Sequence, residues 1–450
     1  MITIPAAEVT ELLIALIRNR CVNDGTPDSG HEHRSAATLE AYLGRDGRRF
    51  EPHPGRTSVL YRIPGSVPGA PSLMLLGHTD VVPVTASGWS VDPFEGSRSD
   101  GFVWGRGAVD MLNQTASMAA VFRRYLHGEV AALPGDLLFL AVADEEAGGK
   151  LGAAYLVEHH WDEVGVDFVL TEIGAPMLAG VEGPGLPVTV AEKGPHWRTF
   201  RVRGVPGHGS QPYGSRNALV PLAEAIGRLA EAESPVIISD EWRAFVAAWG
   251  PEPGLAADLL EPEHLDGAID RLAESDPGFA RWVHACTHLT ISPNTLHAGV
   301  KANVVPDDAI AEIDVRMLPG QETADLLDHF RKVLGPDIEE TVEITAIETT
   351  VANGSPAAGP LWDAIGDSLE AVAGHRRLLP TLIPVATDAR FFRRRGSLAY
   401  GMAVFDDRVG FGDLLSMFHG HDERVSEMSL GLTARHLLGT VQRFGELTAP

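Results

Sequence analysis

Leu73-Met74-Leu75-Leu76-Gly77-His78-Thr79-Asp80 is an apolar run that stops on a histidine and an aspartate two positions apart. Two later runs stop in the same manner: Leu137 to Ala143 ends in Asp144-Glu145-Glu146, and Phe168-Val169-Leu170 ends in Thr171-Glu172. Short continuous apolar runs read as strands buried on both faces, the pattern of a parallel sheet. The carboxyl ends of parallel strands line one crevice, so His78, Asp80, Glu145, Glu146 and Glu172 are expected to share a site. That much gathered negative charge repels itself unless a cation sits among it.

Helical periodicity surrounds these runs. Leu12, Leu13, Leu16 and Ile17 form one stripe of Val9 to Arg18, and Met118, Val121, Phe122 and Tyr125 form another after Asp110. Strands alternating with helices predict an α/β fold, a mixed and mostly parallel sheet covered by helices. At about Lys193-Gly194-Pro195 the style changes. Trp197 to Val205 reads as a strand, and Ala309 to Met317 alternates strictly, with Ile313, Val315 and Met317 on one face and Glu312, Asp314 and Arg316 on the other. The expectation is a first domain formed by residues 1–194 and 350–450, with an inserted α+β domain at 195–349. Ser234 to Pro277, with helices expected around Glu241 to Trp249 and Leu265 to Leu272, reads as an elaboration of that insertion. Val351 to Pro360, rich in small residues and proline, reads as a linker.

Composition excludes several classes. At 450 residues and 44% hydrophobic the chain has material for sizeable cores. Its formal charge of −25 excludes binding to nucleic acid or an anionic membrane surface, since phosphate contacts need clustered cations. Met1-Ile2-Thr3-Ile4-Pro5 has no positive n-region, and Glu8 and Glu11 follow it, unlike a secretory signal. No apolar stretch reaches bilayer length, so no membrane partner is expected. Cys21 and Cys286 lack CxxC spacing and suggest neither a disulfide framework nor a thiolate zinc site. A cytoplasmic location follows by default.

Taken singly, each acidic or histidine residue has a plain structural reading. His78 and Asp80 project on the same face of a strand end, which suits a metal-bound imidazole oriented by a carboxylate, but a hydrogen-bonded histidine near a turn is commoner. Glu145 and Glu146 cannot both ionise cheaply in a crevice unless one binds a cation and the other exchanges protons. A solvated acidic loop is the alternative, weakened by the Gly148-Gly149 that follows. Asp110 opens a helix and reads first as a capping acid, although glycine-punctuated Trp104 to Val109 is unlike an ordinary cap. Glu172 rests on its strand-end position alone.

Together, His78-Thr79-Asp80, Gly105-Arg106-Gly107-Ala108-Val109-Asp110-Met111, Asp144-Glu145-Glu146 and Thr171-Glu172 resemble the ordered motifs of the aminoacylase, carboxypeptidase G and succinyl-diaminopimelate desuccinylase family of two-metal hydrolases. Later marks agree: Gly207-His208-Gly209-Ser210, Lys301 to Pro306, the strand through Arg316 ending in Leu318-Pro319-Gly320, Thr387-Asp388-Ala389-Arg390, and His419 four residues before Glu423. The resemblance implies two divalent metal ions, zinc foremost with cobalt or manganese as alternatives. One would be held by His78 and Glu172, the other by Glu146 and His419, with Asp110 bridging. Asp80 would orient His78, and Glu145 would be the general base toward a metal-bound water. Two divalent cations against three carboxylates and one hydroxide make a neutral cluster. His208 would donate to the oxyanion from the partner subunit of a homodimer formed through the inserted lid domain, and Asn303 and Arg316 would grip a substrate carboxylate. Either His419 or His421 could be the last ligand; the family spacing to Glu423 favours His419, and His421 is read as a neighbour with a supporting hydrogen bond or as simply exposed, while His31, His33, His159, His160 and His288 are expected to be structural.

One departure stands out. Leu112-Asn113 follows Asp110-Met111 where relatives usually have Lys-Gly. The reading is a hydrolase of the amide bond in small N-acylated amino acids or short peptides with a free carboxylate. A dipeptidase or carboxypeptidase, and outside enzymes a binding protein that keeps the metals for stability, are the alternatives.

Overall fold

The three apolar runs form adjacent parallel strands. In the computed structural model, which describes residues 3–450, Leu73–His78 lies between Leu137–Val142 and Phe168–Thr171. Leu73 is paired with Leu137 on one side and with Phe168 on the other, and His78 is level with Val142. Met1 and Ile2, which open the N-terminal stretch considered above, lie outside the described residues.

Around this parallel centre the sheet is mixed. Ser58–Ile63 and Arg48–Phe50 extend it antiparallel beyond Leu137–Val142, and Leu398–Gly401 continues it parallel beyond Phe168–Thr171. Gly183–Glu192 follows, paired in parallel with Leu378–Ile383. Burial on both faces explains the unbroken apolar runs. Leu73, Leu75, Leu137 and Phe139 enter the core packed by Ala6–Arg18, Leu112–Leu126 and Glu427–Leu447. Met74, Leu76, Leu138 and Leu140 pack on the opposite face against Leu156, Val157 and Phe392. The α/β expectation is met.

A second, wholly antiparallel sheet occupies the middle of the chain. Asp308–Met317 pairs with Arg198–Arg203 and Thr290–Ala298, and Arg198–Arg203 also pairs with Val342–Ala346. Ala309, Ala311, Ile313, Val315 and Met317 alternate into a separate core with Phe200, Leu222, Leu326 and Phe330. Helices Leu219–Glu231 and Thr323–Leu334 cover that face. The chain crosses between the two sheets twice, side by side: Thr350 N–H donates to Pro195 carbonyl at 2.8 Å. A Cβ on Gly194 would lie 2.0 Å from the Thr350 carbonyl oxygen, so only glycine permits this approach.

Two segments differ from the sequence reading. Helices Asp240–Trp249, Pro262–Ser275 and Pro277–Thr287 form where periodicity suggests, but they pack on the first sheet's core. Trp242, Phe245, Trp249, Phe279 and Trp282 join the same apolar cluster as Leu379 and Phe411. The segment expected as a linker is tied to the sheet: Asn353-Gly354 pairs with Ala191 and Glu192, and Ser355 is buried.

Candidate active site

The site assembles at the carboxyl edge of the parallel strands. His78 is the last residue of its strand, Glu145 and Glu146 occupy a single turn of 3-10 helix just beyond Leu137–Val142, and Glu172 follows Phe168–Thr171. Asp110 arrives from the loop before helix Leu112–Leu126, and His419 from the loop after Phe411–Met417. His78 Nε2 lies 3.1 Å from Asp110 Oδ1 and 3.6 Å from Glu172 Oε2. His419 Nε2 lies 3.3 Å from Asp110 Oδ2 and 3.1 Å from Glu146 Oε2. Each oxygen of Asp110 thus faces a different imidazole.

These separations suit metal ligands. Bonds of about 2.0–2.2 Å at tetrahedral angles place neighbouring ligand atoms roughly 3.4 Å apart. Donor atoms of His78, Asp110 and Glu146 lie within 4.8 Å of one another, as do those of His78, Glu145 and Glu172. Glu146 Oε1 is buried with no hydrogen-bond partner, an oxygen left for a cation. Electrostatics agrees. Hydrogen bonds to Asp110 and Glu146 push His419 up to about 10. Burial lowers the affinity of His78 for a proton, yet its bonds to Asp110 and Glu172 raise its pKa well above the usual range. Burial, followed by the charge of Asp110, pushes Glu146 up to about 7. Protons collect where positive charge is wanted, and two divalent cations would replace them. Burial first, then the charge of Glu172, also raises Glu145 well above a normal carboxylate.

Supporting contacts redistribute one expected role. His78 Nδ1 donates at 2.9 Å to the backbone carbonyl of Asp80, whose carboxylate is 3.7 Å away. That carboxylate accepts instead from the backbone N–H of Glu145 at 3.2 Å, of Glu146 at 3.1 Å, and from Asn23 Nδ2 at 2.8 Å. Asp80 therefore orients His78 through its main chain and the two glutamates through its side chain. Asp144, at φ 72°, is secured by wholly buried Arg56 at 2.7 Å, and Arg56 also pairs with Glu32 at 2.9 Å. Glu423, fully buried, accepts from the N–H groups of Gly107, Val109 and Asp110 and from Arg106, fixing the loop that presents Asp110. Sequence reasoning missed Asn23, Glu32, Arg56 and the role of Glu423. At the departure from the usual pattern, Leu112 is buried and fills the space beside Gly107, where a Cβ would meet Leu112 Cδ1 at 2.6 Å.

Three expected residues stand elsewhere in the single chain. His208 is exposed and accepts from Ser210 through Nδ1. Asn303 is exposed in the same region, its carbonyl accepting from Gly209 N–H at 2.8 Å. Arg316 is held in a two-point ion pair by Asp314 at 2.7 and 3.1 Å and lies over Trp197. None lines the cavity of about 640 Å³ that contains Asp110, Glu145, Glu146, Glu172 and His419. The His421 ring lies beside Gly88.

Residues 74–443 match the model of peptidase family M20/M25/M40. The chain belongs to that family. Among curated relatives it is 27% identical to the N-fatty-acyl-amino acid synthase/hydrolase PM20D1 of Xenopus tropicalis, across 86% of this chain and 75% of the relative. It is 26% identical to aminoacylase-1 of Mus musculus, across 90% and 88%. The fold matches the M20 family metallo-carboxypeptidase Sso-CP2 of Sulfolobus solfataricus with TM-score 0.73 at 18% identity, covering 98% of this chain and all of the other. Human carnosine dipeptidase 1 superposes with TM-score 0.70 at 15% identity, covering 98% and 97%. The protein is an M20-family hydrolase, and no described helix is long and apolar enough to cross a membrane.

Proposed function

We propose that this protein hydrolyses the amide bond of N-acylated amino acids or short peptides with a free carboxylate, using two divalent cations, zinc in the first place. The observation that carries the reading is the meeting of His78, Asp110, Glu146, Glu172 and His419 around two adjacent positions with Glu145 beside them. Cations bound there would polarise the scissile carbonyl and make a water acidic enough to attack near neutral pH. Glu145, buried and with its pKa raised, takes the proton of the attacking water and hands it to the departing amine. Asp80 keeps that carboxylate and Glu146 in register, and the apolar surroundings strengthen each charge interaction.

His208, Asn303 and Arg316 complete the site in this reading when a second copy and closure of the inserted domain bring them in. Exposed Val205, Tyr213, Val220 and Val300 on that domain support a homodimer formed through it. Glu145→Gln tests the assignment. The variant should retain two equivalents of zinc by elemental analysis while kcat falls by roughly 10²–10⁴. Undiminished turnover would remove Glu145 as base, and absence of hydrolysis by the unmodified zinc-loaded protein would favour a metal-stabilised binding protein.

A further inference from the structure

The cavity holding the acidic cluster continues past it along a wall of different character. Gly278, Arg281, Trp282 and Ala285 recur at helical spacing, so one face of Pro277–Thr287 looks into the cavity. Phe411, packed edge-on to Trp282 at 5.5 Å between ring centroids, and half-buried Leu415 and exposed Val385 extend the apolar surface. The volume of about 640 Å³ falls in the range of drug-sized ligands, well beyond what an acetyl group fills. The only carboxylates lining it are those of the metal-binding cluster and Glu145, and Arg281 is exposed with no acidic partner among the described residues.

Resting on the hydrolase reading above, we propose that this wall receives the acyl side of the substrate and selects an extended, uncharged, apolar acyl chain on an amino acid over a dipeptide. A dipeptide carries an ammonium next to the scissile carbonyl. Once cations occupy the cluster, Glu145 is the one lining carboxylate outside it and is engaged with the attacking water, so that ammonium would meet apolar carbon and the guanidinium of Arg281. A methylene chain there leaves water and gains contact instead.

The test is a series of N-acetyl-, N-butanoyl-, N-hexanoyl- and N-octanoyl-phenylalanine, with alanyl-phenylalanine as the dipeptide, on zinc-loaded protein. kcat/KM should climb by up to roughly fourfold per methylene, which is about 0.8 kcal/mol, and the dipeptide should fall below the butanoyl substrate. Ala285→Trp should flatten the series by filling the cavity, and Leu415→Ser should make it shallower. A level or descending series, or a dipeptide cleaved faster than every acyl substrate, overturns the proposal. If no amide is cleaved, the hydrolase reading fails on its own. Calorimetric affinities of the octanoyl and acetyl compounds for the zinc-loaded protein then decide about the wall, and equal affinities overturn it.

Discussion

Asp80 shows how much of the site depends on atoms that never touch a substrate. Its carboxylate is buried among three donors, two of them the backbone N–H groups of Glu145 and Glu146. Asp80→Ala leaves those donors unpaired and the turn free to shift. Partners of ligands commonly contribute 10–100-fold in metal affinity or activity, and zinc affinity measured against a competing chelator should fall by about that factor, with kcat falling as well. Unchanged affinity and turnover would mean that the turn holds its shape without Asp80. His78, Glu145, Glu146 and Glu172 were legible because a charge at the end of an apolar run is unusual and local. The groups that hold them were not. Asp80 lies 65 residues from Glu145, and Arg106 lies 317 residues from Glu423, and nothing in either local pattern encodes such pairings.

At the scale of elements, helix Glu427–Leu447 carries a residue with a measurable cost. His436 is buried, with Nδ1 donating at 3.0 Å to Ser368 Oγ and Nε2 lacking a partner. Burial pushes its pKa down to about 4. In the unfolded chain the ring takes a proton near pH 6.5, so the unfolded state binds more protons between about pH 6.5 and 4 and stability falls as pH falls through that window. The loss amounts to about 3 kcal/mol across the window. Urea titrations from pH 7 to 4 should show it, and His436→Asn should reduce that slope; an identical slope would assign the acid sensitivity to other groups. The element pattern explains which parts of the fold could be read in advance. Asp308–Met317 alternates because one face meets its own core, whereas helices Asp240–Trp249 and Pro277–Thr287 are amphipathic toward a partner that periodicity cannot name. Their docking on the first sheet's core, which sets Pro277–Thr287 along the cavity, is visible only in three dimensions.

For the whole molecule, the open question is how an exposed His208 could serve a site built entirely on the other sheet. On the proposed reading the inserted domains pair in a two-fold homodimer, so that each would reach the partner's cluster and the same patch would serve both copies. Mixing subunits tests this. Glu145→Gln and His208→Ala should each leave a weakly active protein, but in a mixed dimer one cluster would keep its own Glu145 and receive His208 from the partner subunit. Random exchange at equal amounts makes half the dimers mixed, each with one complete site of two, so about a quarter of full activity should return. If His208 served the cluster of its own chain, every site in the mixture would lack one group and no activity would return. Regained activity at about that level, with dimer mass confirmed by light scattering, would support the across-subunit arrangement.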